Sequence, residues 1–401
     1  MTTRPLRVLL IASHPVQYAS PIFRLLAKDP RVEIQVAYCG LGGAEAHVDP
    51  EFGVEIKWDV PLLDGYPWIT LPNRWPFGRN TPFFRLFNPG VWSLIRKGKF
   101  DAVVLYTGYV CATFWIALLA AKLSGAAVLF GTDAHELTPL DGKKWKLWFK
   151  KLFWPWLFRL PDVAVILSSG GVALMRTLGI PEERIALAPF CVDNEWWLKR
   201  STNVERDTVR ARWGIPVEAA VIVYCAKFQP WKRPQDVLRA FARTDVSTAY
   251  LVLVGEGPLR SAMEQEAESL GIKERVRFLG FVNQSSLPEV YTASDLLVLT
   301  SQYEAFGLVV NEAMLCRCPA VVSDHVGARF DLVREGETGY VYPCGDESAL
   351  AERIQTALSD IPRLQRMGEA ARSRMMSWSP NEYVESLIIS ISRTHESRAH
   401  R

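Results

Sequence analysis

At 401 residues, with 49% hydrophobic and 22% charged side chains, the chain is ordinary globular material with enough sequence for two hydrophobic cores. A formal charge of +3 is close to balance, which argues against a nucleic-acid binder and confines any cationic function to local sites. The seven cysteines are scattered, with only Cys316 and Cys318 close together, so they form neither a disulfide framework nor a zinc pattern and fit a reducing cytoplasm.

The first apolar run, residues 8–12, is too short for a secretory leader and reads as a buried strand. The longest, residues 109–121, ends at Lys122 and falls short of the roughly 20 residues a membrane span needs, so no transmembrane segment is expected. In chain order, "LRVLLIAS", "VEIQVAYC", "FDAVVLYTG" and "AAVLFGTD" alternate with helical patterns, and "AVIVYCAKF", "AYLVLVGEG", "DLLVLTS" and "PAVVSD" repeat the theme after residue 220. Continuous apolar runs suit parallel strands covered on both faces, so the expectation is α/β architecture met twice. The pattern lapses near residues 193–203, which divides an N-terminal domain, 1–197, from a C-terminal one, 198–377. Residues 58–92, rich in Pro, Trp, Phe and Asn, read as a long irregular insertion of the kind that carries specificity.

In doubly wound sheets, ligands bind at the carboxyl ends of strands. Several such ends carry suitable chemistry here. "SQYEAFGLVVNEAM" places Glu304 in the loop after one strand and Glu312 on the second turn of the following helix. Carboxylates there can accept paired hydrogen bonds from sugar and ribose hydroxyls, while Phe306, Gly307 and Leu308 form a helix start suited to phosphate. "CAKFQPWKRP" places Lys227 and Lys232, with Arg233, at the same edge, where cations suit a diphosphate. Gly255 and Gly257 in "GEGP" mark a close backbone approach, although Arg260 spoils a dinucleotide motif. Phe281 and Val282, ending "VRFLGFV", offer an aromatic and backbone groups to a base. Taken singly, each of these also fits a solvated loop or helix face.

In this order, with "GETGYVYP" following, residues 220–390 resemble the C-terminal half of family four (group 1) retaining glycosyltransferases with the GT-B fold; the N-terminal half is similar in layout only. The resemblance implies two Rossmann-like domains facing across a cleft, with a final helix, 378–395, crossing back onto the N-terminal domain. It implies that Glu304 meets the donor sugar, Glu312 the ribose, and Lys227 and Lys232 the diphosphate, with Glu304 orienting rather than attacking. It also implies reaction with retention, without a metal or other cofactor, on a nucleotide sugar such as a UDP-sugar. Double displacement through a carboxylate is the alternative, since sequence carries no distances. Three departures from the family pattern, Lys227 for arginine, Arg317 for glycine, and Gly327–Ala328 for a glycine pair, bear on donor identity.

The N-terminal half is expected to serve the acceptor. His14 and Gln17, in its first strand-to-helix loop, are expected to help bind the donor, Gly108 ends another strand, and Asp133 and His135, expected among the catalytic residues, follow "VLFGT" near where the family meets the donor sugar. "KKWKLWFKKLFW", residues 143–154, sets lysines on one helical face and aromatics on the other, ahead of Pro155. Either it lies in a membrane interface or it packs its aromatic face on its own domain. The implied function is sugar transfer to a glycan or lipid-linked acceptor in polysaccharide assembly, by a cytoplasmic protein, peripheral on the inner membrane face. The rivals are an epimerase of the same fold and a non-catalytic nucleotide-sugar or membrane-binding protein.

Overall fold

The computed structural model describes residues 4–48, 53–74, 82–138 and 143–399. Of the insertion read at 58–92, residues 75–81 lie outside the described residues. The strands run in chain order β1 (Leu6–Ala12), β2 (Val32–Tyr38), β3 (His47–Val48), β4 (Glu55–Ile56), β5 (Trp68–Thr70), β6 (Ala102–Leu105), β7 (Ala127–Thr132), β8 (Val163–Ile166) and β9 (Ile185–Leu187), then β10 (Val221–Cys225), β11 (Tyr250–Val254), β12 (Val276–Gly280), β13 (Leu296–Leu299), β14 (Ala320–Ser323) and β15 (Gly339–Tyr342). They build two units. One holds residues 1–45, 61–190 and 380–401, and the other residues 46–60 and 191–379.

In the first unit a seven-stranded parallel sheet has the order β5-β2-β1-β6-β7-β8-β9. Val103, Val104 and Leu105 on β6 are wholly buried because helices cover both faces, which is why these strands read as unbroken apolar runs. Helix Pro380–Ala399 packs on helix Ser20–Lys28 and along β7, β8 and β9, burying Tyr383, Val384, Leu387, Ile388 and Ile391. Its polar ends are tied as well: Glu385 meets Arg31 at 2.7 Å, and Arg398 meets Asp162 at 2.7 Å.

In the second unit six parallel strands run β12-β11-β10-β13-β14-β15. The apparent lapse before β10 is two helices, Asn194–Thr202, N-capped by Asp193, and Arg206–Arg212. Arg210 staples the second of these to the sheet. Its Nη2 meets Asp295 Oδ2 at 2.6 Å, and that oxygen also accepts from the Val221 amide at 2.7 Å. The small β3–β4 ribbon and the chain after it also join this unit: Lys57 O accepts from Asn283 Nδ2 at 2.7 Å, and Asp59 Oδ1 accepts from the Ser285 amide at 3.1 Å. Nothing in the local pattern of 46–60 signals this long-range pairing.

Helix Lys144–Leu157 continues through Pro155, which lies just after the 143–154 stretch singled out in the sequence. The helix buries the opposite side, through Trp154 and Leu157, while Trp145, Trp148, Phe149 and Leu152 on the aromatic face are exposed and Phe153 is half-buried, so the reading in which the aromatic face packs on its own domain does not hold. Among the described residues, no helix is long and apolar enough to cross a membrane.

Candidate active site

In the second unit the strand order reverses between β10 and β13, and the loops beyond their carboxyl ends diverge there, leaving a crevice of the kind that binds ligands in open α/β sheets. The loop after β10 is held from beneath. Tyr224 Oη donates to Lys232 O at 3.1 Å, Thr300 Oγ1 lies 2.8 Å from the carbonyls of both Lys232 and Arg233, and the Gln302 amide donates to Trp231 O at 2.8 Å. The last of these contacts bridges the loops that follow the two strands. These bonds fix the backbone that carries Lys232, whose ammonium donates to Glu304 Oε2. Both side chains are mostly buried, 17 and 19% exposed, so this is not a solvent-screened surface pair. Lys227 stands half-buried where the same loop begins. Arg233 is committed differently: its Nε meets Asp236 at 2.6 Å, at the start of helix Pro234–Ala242.

Glu304 lies in the loop after β13, and its carbonyl accepts from the Gly327 amide at 3.0 Å. Phe306 O accepts from the Ala328 amide at 2.7 Å, and the Phe306 ring is buried, stacked on Trp378 with centroids 6.1 Å apart. Phe306 therefore backs the loop from inside the unit. Gly307 starts helix Leu308–Leu315 with φ at 96°, where a Cβ would crowd Glu304, Leu299 and Val326 at 3.2 Å each. One turn further on, Glu312 accepts from Tyr291 Oη at 3.0 Å. Burial pushes the Glu312 carboxyl up to about 8, with the Tyr291 hydrogen bond acting in the other direction.

The glycines after β11 have a local cause. A Cβ on Gly255, where φ is 138°, would lie 2.0 Å from Ala226 O, and one on Gly257 would lie 2.7 Å from Phe228 O. The close approach legible in the sequence is thus to the lysine-bearing loop itself. Phe281, after β12, meets Trp58 edge to face at 6.4 Å, with Val282 half-buried beside it. Trp58 was not among the residues singled out in the sequence, because its partner comes from a different part of the chain.

In the first unit the corresponding reversal lies between β1 and β6. His14 is exposed after β1, its Nδ1 2.9 Å from Ser13 Oγ, and Gln17 is half-buried nearby. Asp133 is exposed after β7; the His135 side chain is 5% exposed, its Nε2 4.0 Å from Glu136. Sequence reasoning missed Tyr18, whose hydroxyl is pushed up to about 12 by burial and then by Asp133, and Thr107, whose buried hydroxyl beside Gly108 has no hydrogen-bond partner among the described residues. Among the described residues, no three His, Cys, Asp or Glu side chains converge on a metal-sized site.

A paired cation and carboxylate, a second carboxylate and a helix start together at a strand-order reversal can hold a charged, hydroxyl-rich ligand. Residues 205–374 match the family model for glycosyl transferases group 1, and residues 17–191 match that for the glycosyl transferase 4-like domain. The chain belongs to the group 1 glycosyltransferases. Within this family it is 32% identical over 227 residues to N-acetyl-alpha-D-glucosaminyl L-malate synthase of Bacillus anthracis, covering 56% of this chain and 58% of that protein. It is 32% identical over 228 residues to D-inositol 3-phosphate glycosyltransferase of Nocardia farcinica, covering 55% and 49%. The chain thus spans about half the length of these curated relatives. Among solved structures, Anabaena HepE in complex with UDP and glucose aligns with a TM-score of 0.71 over 97% of this chain and 100% of that one at 19% identity. The two doubly wound units are those of the GT-B fold.

Proposed function

We propose that this group 1 glycosyltransferase moves a hexose, with retention, from a nucleoside-diphosphate sugar to a glycan or lipid-linked acceptor in polysaccharide assembly. The observation that carries the reading is the mostly buried Lys232–Glu304 pair at the reversal between β10 and β13. As the sugar–phosphate bond breaks, negative charge develops on the diphosphate, and Lys232 and Lys227 neutralise it together with the amides at the start of helix Leu308–Leu315. Glu304, held by Lys232, accepts from the donor sugar hydroxyls, and Glu312 accepts from the ribose. The acceptor hydroxyl attacks on the face the phosphate leaves, and its proton passes to a departing phosphate oxygen, so neither glutamate forms a covalent bond. His14, Gln17, Asp133 and His135 serve the acceptor and sugar side. The bound UDP in the HepE complex supports a uridine donor. No metal ion or other cofactor enters this scheme.

The test is a panel of nucleotide sugars incubated in chelator, with and without a membrane-lipid extract, following nucleotide release. Release from one donor, raised by the extract, is expected. Lys232→Ala should weaken donor binding by about 10-fold to 100-fold, and Glu304→Ala should lower turnover by about 100-fold or more. Isomerised sugar without release would instead identify an epimerase. Donor binding without turnover under every condition would identify a binding protein.

A further inference from the structure

Helix Lys144–Leu157 has three faces rather than two. On the inner face Trp154 and Leu157 are buried, and Trp154 Nε1 donates to Tyr109 Oη at 3.0 Å. On the opposite face, positions 145, 148, 149, 152 and 156 fall three or four residues apart and align in one stripe. Trp145, Trp148 and Leu152 in that stripe are 64, 65 and 60% exposed. At 100° per residue, Lys144 and Lys151 border the stripe on one side and Lys146 on the other, while Lys150 lies on the inner side, its ammonium 4.8 Å from the centroid of the Trp154 ring. Residues 143–158 contain no Asp or Glu.

The apolar surface continues beyond this helix. Trp156 stacks on Trp115 with centroids 5.9 Å apart, and Trp115 starts a row with Leu119 and Leu123, both exposed, along helix Ala112–Leu123. At its far end Arg96 Nη1 donates to Leu123 O at 2.7 Å, so that border is basic as well. Soluble monomers rarely leave so large an apolar surface open to water.

We propose that this two-helix face seats on an anionic lipid bilayer, its tryptophans and leucines at the acyl boundary and its lysines among the headgroups. The charge pattern selects the partner. Lysines on both borders, with no acid between them, match a continuous negative plane, whereas a second copy of the chain would bring like charges together. Tryptophan suits this depth because its ring is apolar and its N–H reaches water. The inference rests on the proposed sugar transfer for its consequence, access to a membrane-borne acceptor, but the binding itself rests on this surface alone.

The test is flotation of the full chain with phosphatidylcholine vesicles, with and without phosphatidylglycerol, at low and high salt. Binding should be at least about 10-fold stronger with phosphatidylglycerol and should weaken with salt. Trp145→Ser/Trp148→Ser/Leu152→Ser should lose about 10-fold or more of that binding while keeping its unfolding midpoint and donor affinity. Leu119→Ser/Leu123→Ser should also bind more weakly. Lys144→Glu/Lys151→Glu, at exposed positions that folding does not need, should lose the preference for phosphatidylglycerol. Wild-type protein that stays unbound, or variants that all float like wild type, would overturn the proposal. So would a concentration-dependent dimer, broken by the triple variant, in protein that ignores vesicles. Donor affinity is read separately, so failure of the surface and failure of the proposed activity give different results.

Discussion

Glu304 and Glu312 occupy opposite electrostatic settings although they flank the same helix start. Glu304 faces the Lys232 ammonium, while Glu312 is desolvated beside the Tyr291 hydroxyl and has its carboxyl pushed up to about 8. Unfolded, Glu312 would release its proton near the ordinary 4.5, so between 4.5 and about 8 the folded chain holds the extra proton. Its contribution is therefore fully present at low pH and is lost as pH rises through that window. Glu312→Gln should be more stable than wild type above pH 8, by on the order of 1–3 kcal/mol, with the gap shrinking toward pH 5. Urea unfolding at both pH values measures this, and a gap that does not change with pH would count against burial as the cause. The spacing of the two carboxylates was legible in the sequence. Their unequal surroundings were not, because the lysine and the tyrosine arrive from other loops and helices.

At the scale of elements, the fit between the loop after β10 and the turn after β11 makes Gly255 a structural lever on the lysines. Gly255→Ala would put a methyl group 2.0 Å from Ala226 O at a positive φ. The change should cost about 1–3 kcal/mol and, by displacing the backbone that leads to Lys227, weaken donor binding too. Thermal unfolding and calorimetry read the two effects, and wild-type values in both would show that the loop yields freely. Most strands of the two sheets were read from sequence because burial on both faces leaves unbroken apolar runs, whereas β8, equally buried, and the short, less buried β5 and β9 were not singled out. The neighbours of Gly255, the docking of residues 46–60 and the passage of a helix through Pro155 were hidden, because each depends on contacts that local periodicity does not record.

Over the whole chain, the first unit depends on a helix that follows the second unit in sequence. Ending the chain at residue 379 would remove Tyr383, Val384, Leu387, Ile388 and Ile391 from that core. At roughly 1.5–3 kcal/mol for each large buried side chain, the loss rivals the 5–15 kcal/mol that stabilises a typical domain. The truncated protein should show one cooperative transition, that of the second unit, with the first unfolded. Calorimetry that still shows both transitions would refute this. The order of synthesis then runs against the order of completion. On the ribosome, the second unit has all its strands before the first has its last helix, so the earlier-made half must wait with an apolar face open, a natural target for chaperones until residues 380–399 emerge.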